Sequence, residues 1–148
     1  MNLYDYLSED NVLFLKSGNR NDCIHSLVQR AYESGYLEDA AEFEEAVFER
    51  ESIMSTGMGL GVAVPHAKLG SVREFFIMIG VLKQDVEWHA LDQKPVRIVF
   101  MIGGPSDQQR QYLTILSKLM LVIKNPAIRA SLLDAESKDQ VVKPFMKV

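Results

Sequence analysis

The sequence predicts a single α/β domain in which helices cover a central sheet. Two almost unbroken apolar runs of strand length, at 75–82 and 96–102, indicate strands that are buried on both faces. Helical patterns precede, separate and follow the apolar runs of the chain, which is the order of an α/β layer structure. Because 148 residues suffice for one sizeable core and no repeat or linker divides them, we expect one domain over 1–148.

The first half of the chain predicts a short strand followed by two capped helices. The strand is the apolar stretch 11–15, and Asn19 can cap the helix after it. The apolar face of this helix recurs at i, i+3, i+4 and i+7: Ile24, Leu27, Val28 and Ala31. Gly35 is its expected stop. Asp39 opens the second helix, which ends near 49–51 with Phe43, Val47 and Phe48 on one side.

The second half predicts three more helices after the sheet strands. Ser106 and Gln109 have the spacing of an N-terminal capping box for the longest helix. Its apolar face is expected to comprise Leu113, Leu116, Leu119, Met120 and Ile123. Asn125 before Pro126 begins a short helix that runs to about 133. Ser137 and Gln140 cap a last helix that carries Val141, Val142 and Phe145.

Composition excludes several classes of protein. Sixteen Lys and Arg against 20 Asp and Glu give a formal net charge of −4, which argues against nucleic-acid binding. The single cysteine, Cys23, allows neither an intramolecular disulfide nor a cysteine-rich metal site. The N-terminus lacks the pattern of a signal peptide, and no run approaches the roughly 18 apolar residues of a membrane span. We therefore expect a soluble, cytoplasmic protein that is not inserted in the membrane.

A glycine-rich stretch in the middle of the chain is the most informative feature. Glycines alternate at 57, 59 and 61, which predicts a loop shaped for packing or for the close approach of a ligand. The apolar residues that follow, Val-Ala-Val at 62–64, predict a short buried strand. Pro65 ends this strand, so His66 is expected at a rigid exit.

Other chemistries fit this stretch poorly. The spacing Gly-x-Gly-x-Gly leading into a strand matches neither nucleotide-binding fingerprint. The histidines form no i, i+4 pair, and Ser55 has no nucleophile elbow. His25 is expected at a surface or boundary position of the first helix, and His89 is expected either at a boundary position or near a site. We expect neither a cofactor nor a metal.

Phosphoryl transfer through His66 remains as the chemical interpretation. A neutral imidazole is nucleophilic near neutral pH and can accept and release a phosphoryl group. Ser55, Thr56 and backbone N–H groups could donate hydrogen bonds, and Arg50 and Lys68 could supply charge. The alternative is a glycine-rich turn that only packs, followed by a hydrogen-bonded histidine. The residues alone leave both interpretations open.

An ordered set of motifs adds a family resemblance. Arg50-Glu51, Ser55-Thr56-Gly57, Gly59 and the run Gly-Val-Ala-Val-Pro-His-Ala-Lys at 61–68 resemble the signature of the enzyme IIA domain of the bacterial phosphoenolpyruvate-dependent sugar phosphotransferase system, fructose–mannitol type (IIA type 2). The resemblance covers nearly the whole chain. It implies a mixed sheet between helical layers.

The resemblance also implies roles for residues and partners. His66 matches the histidine that accepts a phosphoryl group from the phosphocarrier HPr, as tele-phosphohistidine, and passes it to a cysteine of a IIB partner that serves the membrane component IIC. Arg50 matches an arginine that balances phosphoryl charge, and Thr56 matches a neighbouring hydroxyl. Because Cys23 lies within a predicted helix, the acceptor cysteine is expected on another chain. Met54, Met58 and Leu60 could form an apolar docking rim, or could be core residues.

One departure from the family pattern concerns the start of the long helix. The family often has a second histidine there, in the pattern His-Leu-x-x-Leu, where this chain has Tyr112-Leu-Thr-Ile-Leu116. Tyr112 could offer a hydroxyl but not the same charge, and His89 could substitute from the connector. The function implied is that of a phosphotransferase in sugar uptake. The alternatives are a nitrogen-type regulatory protein controlled by the phosphorylation of His66, and a IIA-like domain that only binds partners.

Overall fold

A six-stranded mixed sheet separates two layers of helices in the computed structural model, which describes residues 2–146. The strands are β1 (Val12–Leu15), β2 (Gly57–Gly59), β3 (Val62–Ala63), β4 (His66–Lys68), β5 (Phe76–Val86) and β6 (Val96–Gly104). The α-helices are α1 (Arg20–Glu33), α2 (Ala40–Ile53), α3 (Gln109–Ile123), α4 (Pro126–Asp134) and α5 (Lys138–Val142). Short 3-10 turns span Leu3–Tyr6, Glu9–Asn11 and Lys143–Phe145. Met1 and residues 147 and 148, the ends of the predicted domain, lie outside the described residues.

The strand order is β1-β5-β6-β3-β2, and β4 also pairs with β6. β1 is parallel to β5, β5 is antiparallel to β6, and β2 is antiparallel to β3. β3 and β4 both run parallel to β6, one after the other, on either side of Pro65. The mixed sheet implied by the resemblance is therefore confirmed.

The two long strands alternate between separate apolar clusters on opposite faces of the sheet. Ile77, Ile79 and Val81 belong to the cluster beneath α3, α4 and α5. Phe76, Met78 and Leu82 belong to the cluster beneath α1 and α2. Because the side chains of a strand point alternately to its two faces, a strand covered on both sides needs an unbroken apolar run. The predicted helix–sheet–helix layering is confirmed.

Local capping chemistry fixes most helix ends where the sequence places them. The side-chain oxygen of Asn19 accepts hydrogen bonds from the N–H groups of Asn21 and Asp22, at 2.8 and 3.2 Å. Side-chain caps from Asp39, Asn125 and Ser137 likewise begin α2, α4 and α5. Gly35, at φ +88°, ends α1 in the left-handed conformation that favours glycine.

Two predictions about the longest helix are wrong. α3 begins at Gln109 after Gln108, and Ser106 does not cap it. The amide oxygen of Gln109 instead accepts a hydrogen bond from Lys68 Nζ, which removes the second half of the predicted capping box. Leu113 is 52% exposed, because the buried face of α3 is rotated away from it. That face consists of Tyr112, Ile115, Leu119, Val122 and Ile123.

The prediction of a glycine loop is also wrong. The stretch forms a hairpin of β2 and β3 whose turn residues Leu60 and Gly61 have φ of 62° and 75°, as a type I′ turn requires. A Cβ at Gly57 would lie 2.8 Å from the Cβ of Ala90, so glycine permits close packing there. His66 is not at a strand exit: it begins β4, pairs with Ile102 and is part of the sheet. Sequence periodicity does not reveal such short strands, because their pairing partners are distant in the chain.

The close packing of β6 against α2 gives a testable prediction. A Cβ at Gly103 would overlap the tip of the Phe76 ring and lie 2.9 Å from Cε1 of Phe43. Phe76 cannot easily retreat, because its ring is fully buried and stacks on Tyr36 at 4.8 Å between centroids. We expect Gly103→Ala to lower the free energy of unfolding by about 1–3 kcal/mol, measured by urea denaturation. Gly70→Ala is the matched control, since the nearest atom to its Cβ would be 3.9 Å away. Equal stability of the two variants would contradict this prediction.

Among the described residues, no helix combines the length and apolar composition needed to cross a membrane.

Candidate active site

His66 lies in the wall of a small pocket of about 180 Å³. The pocket is built from the end of α2, from β2, from the segment that joins β3 to β4, from the connector after β5 and from the start of α3. Its lining residues are Arg50, Ser55, Thr56, Gly57, Met58, Val64, His66, Leu91, Tyr112 and Leu116. Pairing of β4 with β6 fixes the histidine, and Ile102 N donates to the carbonyl of neighbouring Pro65 at 3.0 Å. Residues distant in the chain thus surround one imidazole.

One hydrogen bond determines the tautomer of His66. Its Nδ1 lies 2.9 Å from the carbonyl oxygen of Val64. A carbonyl oxygen can only accept, so Nδ1 carries the proton of the neutral ring and Nε2 has the free lone pair. Burial lowers the pKa of His66 below its ordinary value, and the charges of Arg50 and Lys68 lower it further, against the opposing effects of the Val64 hydrogen bond and Glu51. The ring is therefore neutral, and nucleophilic at Nε2, near pH 7.

Arg50 brings positive charge to the same pocket. It lies in the last turn of α2, and its Nη1 donates to the carbonyl oxygen of Met54 at 2.7 Å. This bond uses one of the five N–H groups of the guanidinium. The remaining N–H groups suit it to bind an anionic group in the pocket.

Tyr112 lies directly beside His66, as the family pattern for the long helix suggests for that position. The ring centroids are 5.7 Å apart and the planes are tilted by 40°. Burial raises the pKa of Tyr112, against the opposing charge of Arg50, so its hydroxyl keeps its proton near pH 7. Lys68 Nζ lies over the Tyr112 ring, 4.5 Å from its centroid. The chain therefore places a neutral hydroxyl and an ammonium near the histidine.

The two hydroxyl residues predicted for the site line the pocket, but both hydroxyl hydrogens are used within the protein. Ser55 Oγ donates to the carbonyl oxygen of Trp88 at 2.6 Å and accepts from Gly57 N at 3.0 Å. Thr56 Oγ1 donates to the carboxylate of Glu51. In this structure Ser55 and Thr56 shape the pocket wall.

Sequence reasoning missed Glu51 as a buried carboxylate. Its residue is only 5% exposed, in the last turn of α2. It follows Phe43 and Val47 at steps of four on the buried face of the helix. A carboxylate in that apolar stripe was the available signal, because charged residues are seldom buried without partners.

His89 is a surface residue that does not line the His66 pocket. Its side chain is 78% exposed, its Nδ1 lies 3.7 Å from Glu87 Oε1, and it is not among the residues that line the pocket. His25 is at the surface of α1, as expected, with Nδ1 2.6 Å from Glu44 Oε1. Within residues 2–146, no three His, Cys, Asp or Glu side chains are grouped so that they could hold a metal ion.

The proposed rim residues divide between surface and core. Met54 and Leu60 are exposed but do not line the pocket, whereas Leu91 is exposed and does line it. Met58 packs against the apolar cluster beneath α3. The pocket therefore opens onto a partly apolar surface.

A larger groove, of about 700 Å³, lies between α4 and α5. Its walls include Ser131, Asp134, Gln140 and Lys143, without a histidine or cysteine. The His66 pocket is smaller but combines a nucleophile with a cation, so its chemistry identifies it as the candidate site.

The sequence matches one protein family over nearly its whole length, and it is similar to several known proteins. The family described as "Phosphoenolpyruvate-dependent sugar phosphotransferase system, EIIA 2" matches residues 5–147. The chain is 34% identical over 143 residues to the PTS system fructose-specific EIIABC component of Bacillus subtilis, covering 96% of this chain and 22% of that protein. It is 32% identical over 122 residues to the fructose-specific EIIA component of Haloferax volcanii, covering 82% of this chain and 79% of that protein. The chain thus spans about a fifth of the Bacillus relative.

Solved structures with the same fold include two IIA proteins. Nitrogen regulatory protein IIA-Ntr from Neisseria meningitidis superposes with a TM-score of 0.85 at 29% identity, over 93% of this chain and 94% of that one. IIA mannitol from Escherichia coli superposes with a TM-score of 0.79 at 20% identity, over 93% and 96% of the two chains, which supports the fold alone. The predicted family and fold class are confirmed. With a profile match over nearly its whole length and a mixed sheet shared with these proteins, the chain belongs to the EIIA type 2 family of the phosphoenolpyruvate-dependent sugar phosphotransferase system.

Proposed function

We propose that this chain is a phosphoryl carrier that accepts a phosphoryl group from phospho-HPr on Nε2 of His66. It then passes the group to a cysteine of a IIB partner, which serves a membrane IIC component during sugar uptake. The observation that carries the proposal is the bond from His66 Nδ1–H to the carbonyl of Val64, which leaves Nε2 as the nucleophilic nitrogen. The cytoplasmic location predicted from the sequence belongs to this proposal and stays a prediction.

Two phosphoryl transfers take place at His66, one from HPr and one to IIB, and in each of them one bond to phosphorus forms as another breaks. In the first, the Nε2 lone pair attacks phosphorus, and the N–P bond to His66 forms as the bond to HPr breaks. In the second, a cysteine thiolate of IIB attacks phosphorus, an S–P bond forms, and Nε2 regains its lone pair. The proton on Nδ1 stays there throughout, hydrogen-bonded to the Val64 carbonyl oxygen. Arg50, and Lys68 nearby, offset the negative charge that the phosphoryl group brings.

Names of relatives support IIB and IIC as the proposed partners. The Bacillus relative is a fructose-specific EIIABC component, and a solved structure of the same fold is a complex of enzyme IIA mannitol with phosphorylated enzyme IIB mannitol from Escherichia coli. Leu91 is an exposed apolar side chain that lines the pocket, and the exposed Met54 is hydrogen-bonded through its carbonyl to Arg50, so these two residues offer docking partners an apolar surface beside the pocket. Methionine adapts to differently shaped partners, which suits successive docking of HPr and IIB at one site.

Incubation with phosphoenolpyruvate, enzyme I and HPr tests the proposal. Intact mass should rise by one phosphoryl group, and the added group should be lost in acid. Addition of a phosphorylatable IIB should then return this chain to its original mass. No gain of mass, with HPr shown to be phosphorylated in the same tube, would rule out phosphoryl transfer.

A second candidate is a nitrogen-type regulatory protein, in which the phosphorylation of His66 controls binding to other proteins. The superposition on IIA-Ntr at 29% identity favours it. Both candidates predict phosphorylation, but they differ in the next step. Rapid transfer to a IIB cysteine supports the carrier, whereas a stable phosphorylated form that changes affinity for a non-transport partner supports the regulator.

The lowered pKa of His66 predicts how phosphoryl acceptance depends on pH. Because burial favours the neutral ring, the acceptor should stay fully active at pH 7 and lose activity only below its ordinary pKa of about 6.5. Below the lowered pKa, the neutral fraction, and with it the rate, should fall about tenfold per pH unit. NMR titration of the His66 ring measures this pKa directly, without the donor. A midpoint above 6.5 would contradict the prediction.

The same shift has a consequence for stability. Between the lowered pKa of folded His66 and about 6.5, the unfolded chain binds more protons at this residue than the folded protein does. His66 therefore makes the fold less stable as the pH falls through this interval.

A further inference from the structure

Glu51 accepts hydrogen bonds from two different segments of the chain, one of which, at Thr56, lines the His66 pocket. Its Oε2 accepts from Thr56 N at 3.0 Å, and its Oε1 accepts from Trp88 Nε1 at 3.1 Å and from the Thr56 hydroxyl. Trp88 is fully buried, and Thr56 is nearly so. The carboxylate therefore joins the end of α2, the start of β2 and the connector after β5.

These bonds continue toward the imidazole. The carbonyl oxygen of Thr56 accepts from Val64 N at 3.0 Å. The carbonyl oxygen of the same Val64 accepts from His66 Nδ1 at 2.9 Å. Thr56 and Val64 each make one hydrogen bond toward Glu51 and one toward His66. A chain of three hydrogen bonds therefore links the Glu51 carboxylate to Nδ1 of His66.

We propose that Glu51 is the positioning residue of the site: through Thr56 and Val64 it holds the carbonyl that keeps His66 in the Nδ1–H form. The proposal rests on the proposed function, in which Nε2 is the phosphoryl acceptor. Glu51 does not touch the reacting atoms. It acts on the histidine through the backbone.

A carboxylate suits this position better than an amide. Thr56 N–H, the Thr56 hydroxyl and Trp88 Nε1–H are all donors, and an ionised carboxylate offers acceptors on both of its oxygens. Glutamine would present an NH₂ group to at least one of these donors and leave it unpaired in a buried place. A buried carboxylate is costly unless hydrogen bonds compensate it, and these three bonds do so.

Its charge has a second effect. Glu51 is adjacent in sequence to Arg50, and the two influence the charge of His66 in opposite directions. The carboxylate therefore limits how far the arginine disfavours protonation of the ring.

The test compares Glu51→Gln with Glu49→Gln, an exposed glutamate on the same helix. The ¹⁵N shifts of the His66 ring report its tautomer without any phosphoryl donor. We expect the Nδ1–H form in the wild type and in Glu49→Gln, and a mixture of tautomers in Glu51→Gln. We also expect transfer from phospho-HPr to slow by about 10- to 100-fold in Glu51→Gln alone.

A milder variant covers the case in which Glu51→Gln does not fold. Thr56→Val keeps the branched shape and the backbone bonds but removes the hydroxyl that donates to Glu51. We expect a shift of the tautomer in the same direction and transfer slowed by a few fold. If Glu51→Gln folds and keeps the wild-type tautomer and the wild-type rate, the proposal is overturned. If Glu51→Gln does not fold, the same result in Thr56→Val overturns it. Because the NMR measurement needs no phosphorylation, a wild type that is never phosphorylated would instead refute the proposed function.

Discussion

A His66→Gln variant is expected to take up no phosphoryl group from phospho-HPr, whereas the wild type gains one. Glutamine retains an N–H group that can donate to the Val64 carbonyl, so the local backbone bond can survive. It has no nitrogen lone pair that can attack phosphorus, since its nitrogen is an amide. The expected loss is therefore complete. Intact mass after incubation with phosphoenolpyruvate, enzyme I and HPr measures it.

The other two histidines are the matched controls. His25 and His89 both have largely exposed side chains, each near a glutamate, and neither lines the pocket. His25→Gln and His89→Gln should each gain one phosphoryl group as the wild type does. If His66→Gln gains a phosphoryl group, or if either control variant fails to gain one, His66 is not the accepting residue.

Replacement of Arg50 is expected to have the next largest effect. Arg50→Ala removes from the pocket a cation that helps to offset the charge of the incoming phosphoryl group. Loss of such a donor typically slows a transfer by about 10²- to 10³-fold. Arg50→Lys should be intermediate, because it keeps the charge but loses the planar set of N–H groups. Initial rates of transfer from phospho-HPr, at equal protein concentrations, measure both variants.

Arg73→Ala separates the local role of Arg50 from a general effect of charge. Arg73 is exposed and pairs only at the surface with Glu38, so its removal changes the net charge equally without altering the pocket. We expect its transfer rate to match the wild type. Thermal unfolding of Arg50→Ala should stay cooperative, with the fold intact. A folded Arg50→Ala that transfers at the wild-type rate would contradict a role for this guanidinium.

Tyr112 stands at the position where the family often has a second histidine. The Tyr112 ring lies 5.7 Å from the His66 ring, so the chain does place an aromatic polar group at that point. Its hydroxyl is neutral near pH 7, and the positive charge nearby comes from Lys68, two residues after His66 along β4. The Lys68 ammonium also donates to Gln109, which anchors it to the first turn of α3. Charge and hydroxyl are thus supplied by two residues.

Elements with strong local signals could be predicted from the sequence. Asn19, Asp39, Asn125 and Ser137 bond backbone N–H groups within three residues of themselves, so their caps are encoded locally. The two central strands could be predicted because burial on both faces demands continuous apolar residues. The capping box at Ser106 failed because Gln109, its other half, bonds to Lys68, 41 residues earlier in the chain.

Elements that depend on distant partners could not be predicted in this way. β2 and β4 are each three residues long, too short for a periodic pattern, and β4 exists as a strand because β6 lies beside it. The exposure of Leu113 follows from the rotation that places Tyr112 against His66. The partners of Glu51 come from the segment after α2 and from Trp88, 37 residues further along the chain.

By itself, the sequence determined the layered α/β fold and the helix caps at Asn19, Asp39, Asn125 and Ser137. These depend on residue type and short spacing, which act through local backbone bonds and burial. The tertiary structure alone decided which nitrogen of His66 is free, because that depends on a carbonyl held in place by a hairpin and a parallel strand. It also decided that the hydroxyls of Ser55 and Thr56 bond to the protein itself, and that Glu51 is a buried carboxylate bonded to Thr56 in the pocket wall. Hydrogen bonds between segments distant in the chain exist only once the sheet has brought those segments together.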